Sequence, residues 1–110
     1  MLNMAMSKAA AALLRALLHR AGDQRSRILL SDICSVDWQS LTLAGERHVI
    51  GLRIGGPDAA RTAAEFVDGI EEAEFDLPGY ILADIAITKT PRRDGDGSMV
   101  LELEALTVVE

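Results

Sequence analysis

SMVLELEALTVVE, residues 98–110, alternates at a period of two, with Met99, Leu101 and Leu103 on one side and Glu102 and Glu104 on the other. Successive side chains of a strand point to opposite faces, so this pattern describes a strand with one dry and one wet side. A sheet that is dry on one side needs a cover, and the rest of the chain must supply it.

Two further stretches have the same character. RSRILLSDICSVDWQSLTLAGERHVIGLRIGG, residues 25–56, alternates around a turn expected at Ala44-Gly45-Glu46, which sets Leu43 opposite Arg47, Trp38 opposite Leu52 and Val36 opposite Ile54. That register gathers Cys34, Val36, Trp38, Ile50, Leu52 and Ile54 on the core face. It leaves Ser31, Ser35, Asp37, Gly51 and Arg53 to solvent, together with Ile33 and, near the turn, Leu41, Leu43 and Val49, so the hairpin tip is apolar outside. YILADIAIT, residues 80–88, places Ile81, Ala83, Ile85 and Ile87 on one face. TKTPRRDGDG then reads as a long hairpin loop of turn formers.

The cover comes from two helices. From Asn3 or Ser7 to Arg20 the residues are mostly Ala, Leu and Met, all strong helix formers, and Ala21-Gly22-Asp23 stops them. PDAARTAAEFVDGIEEA, residues 57–73, repeats Ala59, Ala63, Phe66, Val67, Ile70 and Ala73 at helical spacing, with Pro57 and Asp58 suited to the first turn. Glu71, Glu72, Glu74 and Asp76 crowd its carboxyl end, where the helix dipole disfavours acids and a cation would compensate. The expected fold is α+β: two helices on one face of a mostly antiparallel four- to five-stranded sheet, in the order α-β-β-α-β-β. The 110 residues form a single domain, divided into an N-terminal helix (1–22), a first hairpin (25–54), a second helix (57–75) and a second hairpin (79–109).

Chemistry is sparse. The single cysteine, Cys34, closes no intramolecular bridge, no Cys/His cluster suggests zinc, and a reducing, cytoplasmic setting is the default expectation. In the expected register His48 faces Thr42, roughly 26 Å from Cys34 at about 3.3 Å per residue, so thiol and imidazole do not meet. Cys34 reads as a small buried hydrophobe, and Trp38 as core or interface. Asp32, Asp84 and the Glu102/Glu104 pair have no His, Lys or Tyr placed with them and read as a solvated face. GLRIGG lacks the Lys and Ser/Thr of a phosphate loop, and DGDG lacks the later Glu of a calcium loop. No catalytic, metal or cofactor-binding residue is assigned, and an enzyme is the least favoured class.

Charge is divided unevenly. Residues 1–55 hold seven Lys/Arg and four Asp/Glu, a balance of +3, whereas residues 56–110 hold four and thirteen, a balance of −9. Opposite-signed ends suit head-to-tail assembly of copies, and the absence of a clustered basic footprint argues against specific nucleic-acid binding. Arg15 interrupts the apolar run of MLNMAMSKAAAALLRALLHRAG, which is too short to span a membrane and is read as mature sequence, with Met1, Met4 and Met6 each able to be the start.

The order of segments, with ALLRALL in the first helix, DWQS at Asp37–Ser40, GERHVIGLRI, PDAARTAAEFVDGIEEA, LPGY, RRDGDG and the closing EALT, resembles the phage tail completion, or tail terminator, proteins, including gene transfer agent and prophage relatives. The similarity covers most of residues 9–107. The resemblance implies a structural role: a homo-oligomer, commonly a six-fold ring, that caps the tail tube and meets the tail tube and head-completion proteins; an acidic lumen would let DNA pass without sticking, since like charges repel. It implies no catalytic residue or cofactor, a cytoplasmic location during assembly and later a place in the tail of a phage-like particle. Interface candidates are Leu41, Leu43 and Val49 at the hairpin tip and Arg92, Arg93, Asp94 and Asp96 in the second loop. The alternative is a small α+β ligand-binding or regulatory module.

Overall fold

The computed structural model describes residues 6–110. The first helix, α1, spans Lys8–Ala21. Ser7 caps it, its hydroxyl accepting from the Ala10 N–H at 3.0 Å and so satisfying an end-of-helix donor. Gly22 ends it with φ 60°, and its N–H reaches back to the His19 carbonyl. The alternative helix start at Asn3, like the starts at Met1 and Met4, lies outside the described residues. A 3-10 turn over Gly22–Arg27 then feeds β1 (Ile28–Gln39) and β2 (Ala44–Ile54). α2 (Ala59–Val67) precedes β3 (Tyr80–Arg93) and β4 (Met99–Val109).

The four strands form one antiparallel sheet in the order β1-β2-β4-β3, so the last strand is inserted beside the second. Both helices pack with this sheet: Leu13 and Leu17 of α1 and Ala59, Ala63 and Phe66 of α2 share a buried cluster with Ile50, Leu52, Ile54, Leu101, Leu103 and Ala105. The fold is α+β, as the period-two and helical patterns require.

The first hairpin turns earlier than expected. Ser40–Leu43 forms the turn, closed by the Ser40 N–H donating to the Leu43 carbonyl at 2.9 Å, and the Ser40 hydroxyl accepts from the Leu43 N–H at 3.1 Å. A serine that bonds the backbone ahead of it builds a turn locally, and here it prevails over Ala44-Gly45-Glu46. Trp38 therefore faces Gly45 and Val36 faces Arg47. An irregularity at Ser31, between Leu30 and Asp32, switches the facing of the strand a second time. Ile28, Leu30, Ile33 and Ser35 point inward, while Cys34 is exposed and Val36 is 61% exposed, so the buried face expected for those two residues is corrected. Trp38 is half-buried. The inward set on β2, Ile50, Leu52 and Ile54, stands as expected.

Two other expectations change for equally local reasons. The second helix stops at Val67, because Asp68 is extended and Gly69 takes φ 72°; Ile70–Glu72 continues only as a 3-10 turn. The acids beyond it thus do not sit on a helix end, and the true carboxyl end of α2 is held by Arg20, whose Nε donates to the Phe66 carbonyl at 3.0 Å and whose Nη2 donates to the Asp68 carbonyl. In β3 an irregularity between Leu82 and Asp84 turns Leu82, Ile85 and Ile87 to the core and leaves Ile81 50% exposed. The strand runs on through Arg93, so the expected long loop shrinks to the tight turn of residues 94–98.

At Gly45 the backbone of β4 leaves no room for a side chain: a Cβ there would overlap the Thr107 carbonyl oxygen and lie 2.9 Å from the Val108 Cα. Backbone cannot yield as a flexible side chain can, so Gly45→Ala should lower stability by about 1–3 kcal/mol. Gly55→Ala, which meets nothing within 4 Å, should be close to neutral. Urea denaturation of the two variants checks this; equal midpoints would contradict the pairing of β2 with β4.

Candidate functional site

The inner faces of β2 and β4 are apolar except at one end, where His48 and Thr107 occupy positions that alternation assigns to the core. Both are fully buried, at 0% exposure. The register sets Ser35 of β1 opposite His48, and His48 opposite Ala105, two residues from Thr107 on the same strand. The result is a polar chain across three strands: Ser35 Oγ lies 2.7 Å from His48 Nδ1, and Thr107 Oγ1 lies 2.8 Å from His48 Nε2.

The direction of this chain follows from its far end. A Thr107 hydroxyl that donates to the Glu46 carbonyl, 3.5 Å away, goes with the tautomer in which His48 Nε2–H donates to Thr107 and Nδ1 accepts from the Ser35 hydroxyl. The imidazole is neutral and satisfied at both nitrogens. Desolvation by burial holds its pKa below the usual histidine value, an effect that the nearby Glu46 carboxylate partly offsets.

A serine hydroxyl bonded to an imidazole is the geometry of an activated nucleophile, but activation also needs a group orienting the base toward cationic character and donors for a developing oxyanion. The second nitrogen here meets a hydroxyl rather than a carboxylate. The arrangement does what a buried histidine requires, namely closing each polar atom on a partner. Among the described residues, Gln24 Oε1 is the buried side-chain polar atom without one.

Cys34 is not a strand length from His48; it neighbours Ser35, the register partner of His48. The sheet itself separates them, with Cys34 exposed outside and His48 enclosed within. No local pattern pairs Ser35 or Thr107 with the histidine, although a polar His48 at the head of the apolar series Ile50, Leu52, Ile54 is a visible signal.

A second polar cluster fastens the β3–β4 turn. Arg53, on the outer face of β2, donates through Nη2 to Asp94 Oδ2 at 2.8 Å and through Nη1 to Asp96 Oδ1 at 3.4 Å and to Ser98 Oγ. The hydrogen bond from Arg53, followed by that from the Gly95 N–H, lowers the Asp94 pKa, and the bonds from the Ser98 hydroxyl and N–H lower that of Asp96. Of the interface candidates in this loop, Asp94 and Asp96 are thus engaged within the chain. Arg92 and Arg93 are exposed, and Arg93 Nη1 donates to the Gly97 carbonyl at 3.0 Å. At the other hairpin Leu41 is fully exposed and Leu43 is 47% exposed, whereas Val49 lies half-buried in mid-strand opposite Cys34 and Glu104, away from the tip.

Among the described residues no three His, Cys, Asp or Glu side chains are placed to hold a metal ion, and no helix is long and apolar enough to cross a membrane. No family model matches the chain, and no curated protein was found to be similar to it.

The depressed histidine pKa has a signed consequence. The unfolded chain takes up a proton near pH 6.5 and the folded chain only at lower pH, so the stabilisation is complete above about 6.5 and is lost as pH falls toward the folded value. The urea midpoint should fall between pH 7 and 5.5, and His48→Gln should remove that part of the slope. An unchanged slope in the variant would contradict the burial of a neutral imidazole. Thr107→Val, which leaves His48 Nε2 without its partner, should cost about 1–3 kcal/mol at pH 7.5 in the same measurement.

Proposed function

We propose that the chain is a structural assembly subunit of a phage-like tail, a tail completion or terminator protein that forms a ring, caps the tail tube and connects it to the head. The observation that carries this reading is where the polar and apolar groups fall. The conspicuous polar side chains, Ser35–His48–Thr107 and Arg53–Asp94–Asp96–Ser98, are occupied with one another, while large apolar side chains are left outside on the first hairpin. An enzyme needs the opposite arrangement, with polar groups converging on open space.

The segment order and local strings that resemble the tail completion family support the particular role, and the strings now have places in the fold. DWQS closes β1 and opens its turn, GERHVIGLRI lies in β2, LPGY enters β3, and RRDGDG ends β3 and enters the turn that Arg53 fastens. The +3 and −9 halves fit head-to-tail contacts around a ring. In this reading the partners are further copies of the chain, the tail tube and the head-completion protein, DNA passes without being bound specifically, and the protein moves from the cytoplasm into the tail of a particle. A second reading, a ligand-binding module, is favoured by the groove that Arg15, His19 and Arg20 of α1 form with Glu74, Phe75 and Asp76.

Charge reversal at the exposed end of β3 tests the first reading. Arg92→Glu with Arg93→Glu should leave the circular dichroism spectrum and melting temperature essentially unchanged while abolishing ring assembly, or docking onto tail tubes, in electron micrographs. A double variant that assembles and docks as the wild type does, or one that fails to fold, would contradict it.

A further inference from the structure

The two edges of the sheet are built differently. At the β3 edge the Glu71 carboxylate accepts from the Ile87 N–H at 2.8 Å, occupying a donor that a further strand would need. The pairing of β3 with β4 is irregular between Leu82 and Asp84, between Ile87 and Lys89, and between Lys89 and Arg92, and Lys89 and Pro91 stand on the strand. Side-chain caps, irregularities, lysine and proline are the means by which sheet edges are kept from pairing. The segment Phe75–Pro78 adds bulk beside Tyr80, Ile81 and Leu82.

β1, at the opposite edge, has none of this beyond the irregularity at Ser31. Its 12 residues, ILLSDICSVDWQ, contain no Lys, Arg or Pro. Among the described residues no loop backbone or side chain outside the sheet bonds to its outward N–H and C=O groups. Of the seven large apolar residues exposed among the described residues, four belong to β1 or the turn that follows it: Leu29, Val36, Leu41 and Leu43. A long open edge free of lysine, arginine and proline is a template for another strand.

We propose that the β1 edge pairs with β1 of a second copy, antiparallel and about a two-fold axis, extending the sheet from four strands to eight. With β3 closed, a head-to-tail join of β1 to β3 has no acceptor, so the contact that copies of this chain form through their edges is the same edge used twice. Alternation narrows the register: an axis between Cys34 and Ser35 would set Asp32 opposite the second copy's Asp37, residues of opposite faces, which a two-fold antiparallel pair does not join. Centring the axis on Cys34 or Ser35 avoids this. Centred on Ser35, the pairing also lays Leu29, 61% exposed, opposite the second copy's fully exposed Leu41, and Val36 opposite the second copy's Cys34. The exposed apolar side chains of the strand and its turn thereby cover one another. Such a contact closes at two copies and does not rest on the tail reading.

Sedimentation of the full chain over a hundredfold range of concentration tests this, together with a short bis-maleimide that links Cys34 to Cys34. The wild type should move from monomer to dimer and yield a cross-linked dimer. Val36→Lys, or Leu29→Lys if the first variant fails to fold, should keep a native circular dichroism spectrum and remain monomeric at concentrations where the wild type is dimeric. A wild type that is monomeric throughout, or a dimer that is indifferent to both lysines and is not linked through Cys34, would overturn the proposal. A larger ring insensitive to both lysines would also overturn it, while leaving the ring reading of the previous subsection in place.

Discussion

The structure depends on covering the inner face of two strands. β2 and β4 are bonded on both sides, and Ile50, Leu52, Ile54, Leu101, Leu103 and Ala105 lie side by side on their helix-facing surface. Water must be kept from that surface, and burial of each large aliphatic side chain contributes about 1.5–3 kcal/mol relative to leaving it exposed. Leu13 and Leu17 on α1 and Ala59, Ala63 and Phe66 on α2 supply the cover, and Arg20 ties the two helices together through the carbonyl groups that end α2. Since both helices are used on one side, the outer face and the β1 edge are left for other contacts.

His48 gives the same face its specificity. An apolar residue of similar size would satisfy the demand for burial, but it would tolerate neighbouring strands slipping by a residue pair. An imidazole held between Ser35 on β1 and Thr107 on β4 does not, because a slip on either side strands a buried ring nitrogen. The chain of hydroxyl, imidazole and hydroxyl therefore works as a register pin across three strands. Its low pKa is the electrostatic mark of that structural position.

What was legible in the sequence was whatever a single segment decides by itself. The alternation of β4, the even-numbered apolar set of β2 and the Ala/Leu run of α1 all appear as their periods require. What failed depended on one residue changing the phase. Ser40 built the turn ahead of the glycine-containing candidate; Ser31 and Ala83 sit where irregularities exchange the two faces of β1 and β3; Asp68-Gly69 broke the second helix. The His48 chain was hidden for a further reason, since it joins residues 13 and 59 positions apart through strands that are not both neighbours in sequence. Leu41 and Leu43 were placed correctly at an exposed tip, whereas Asp94 and Asp96 were bound to Arg53, whose reach across the sheet no local pattern discloses.

The asymmetry of the two edges joins the fold to its assembly. A capped amide at β3 and an open edge at β1 beside the exposed leucines are the basis of the proposed pairing of copies through the first hairpin. Hydrogen–deuterium exchange of the backbone amides, compared at low and high protein concentration, tests this most directly. The outward amides of Ile28–Gln39 should exchange freely in dilute solution and become protected on concentration, with β3 unchanged. Exchange along β1 that is independent of concentration, or new protection confined to β3, would contradict it.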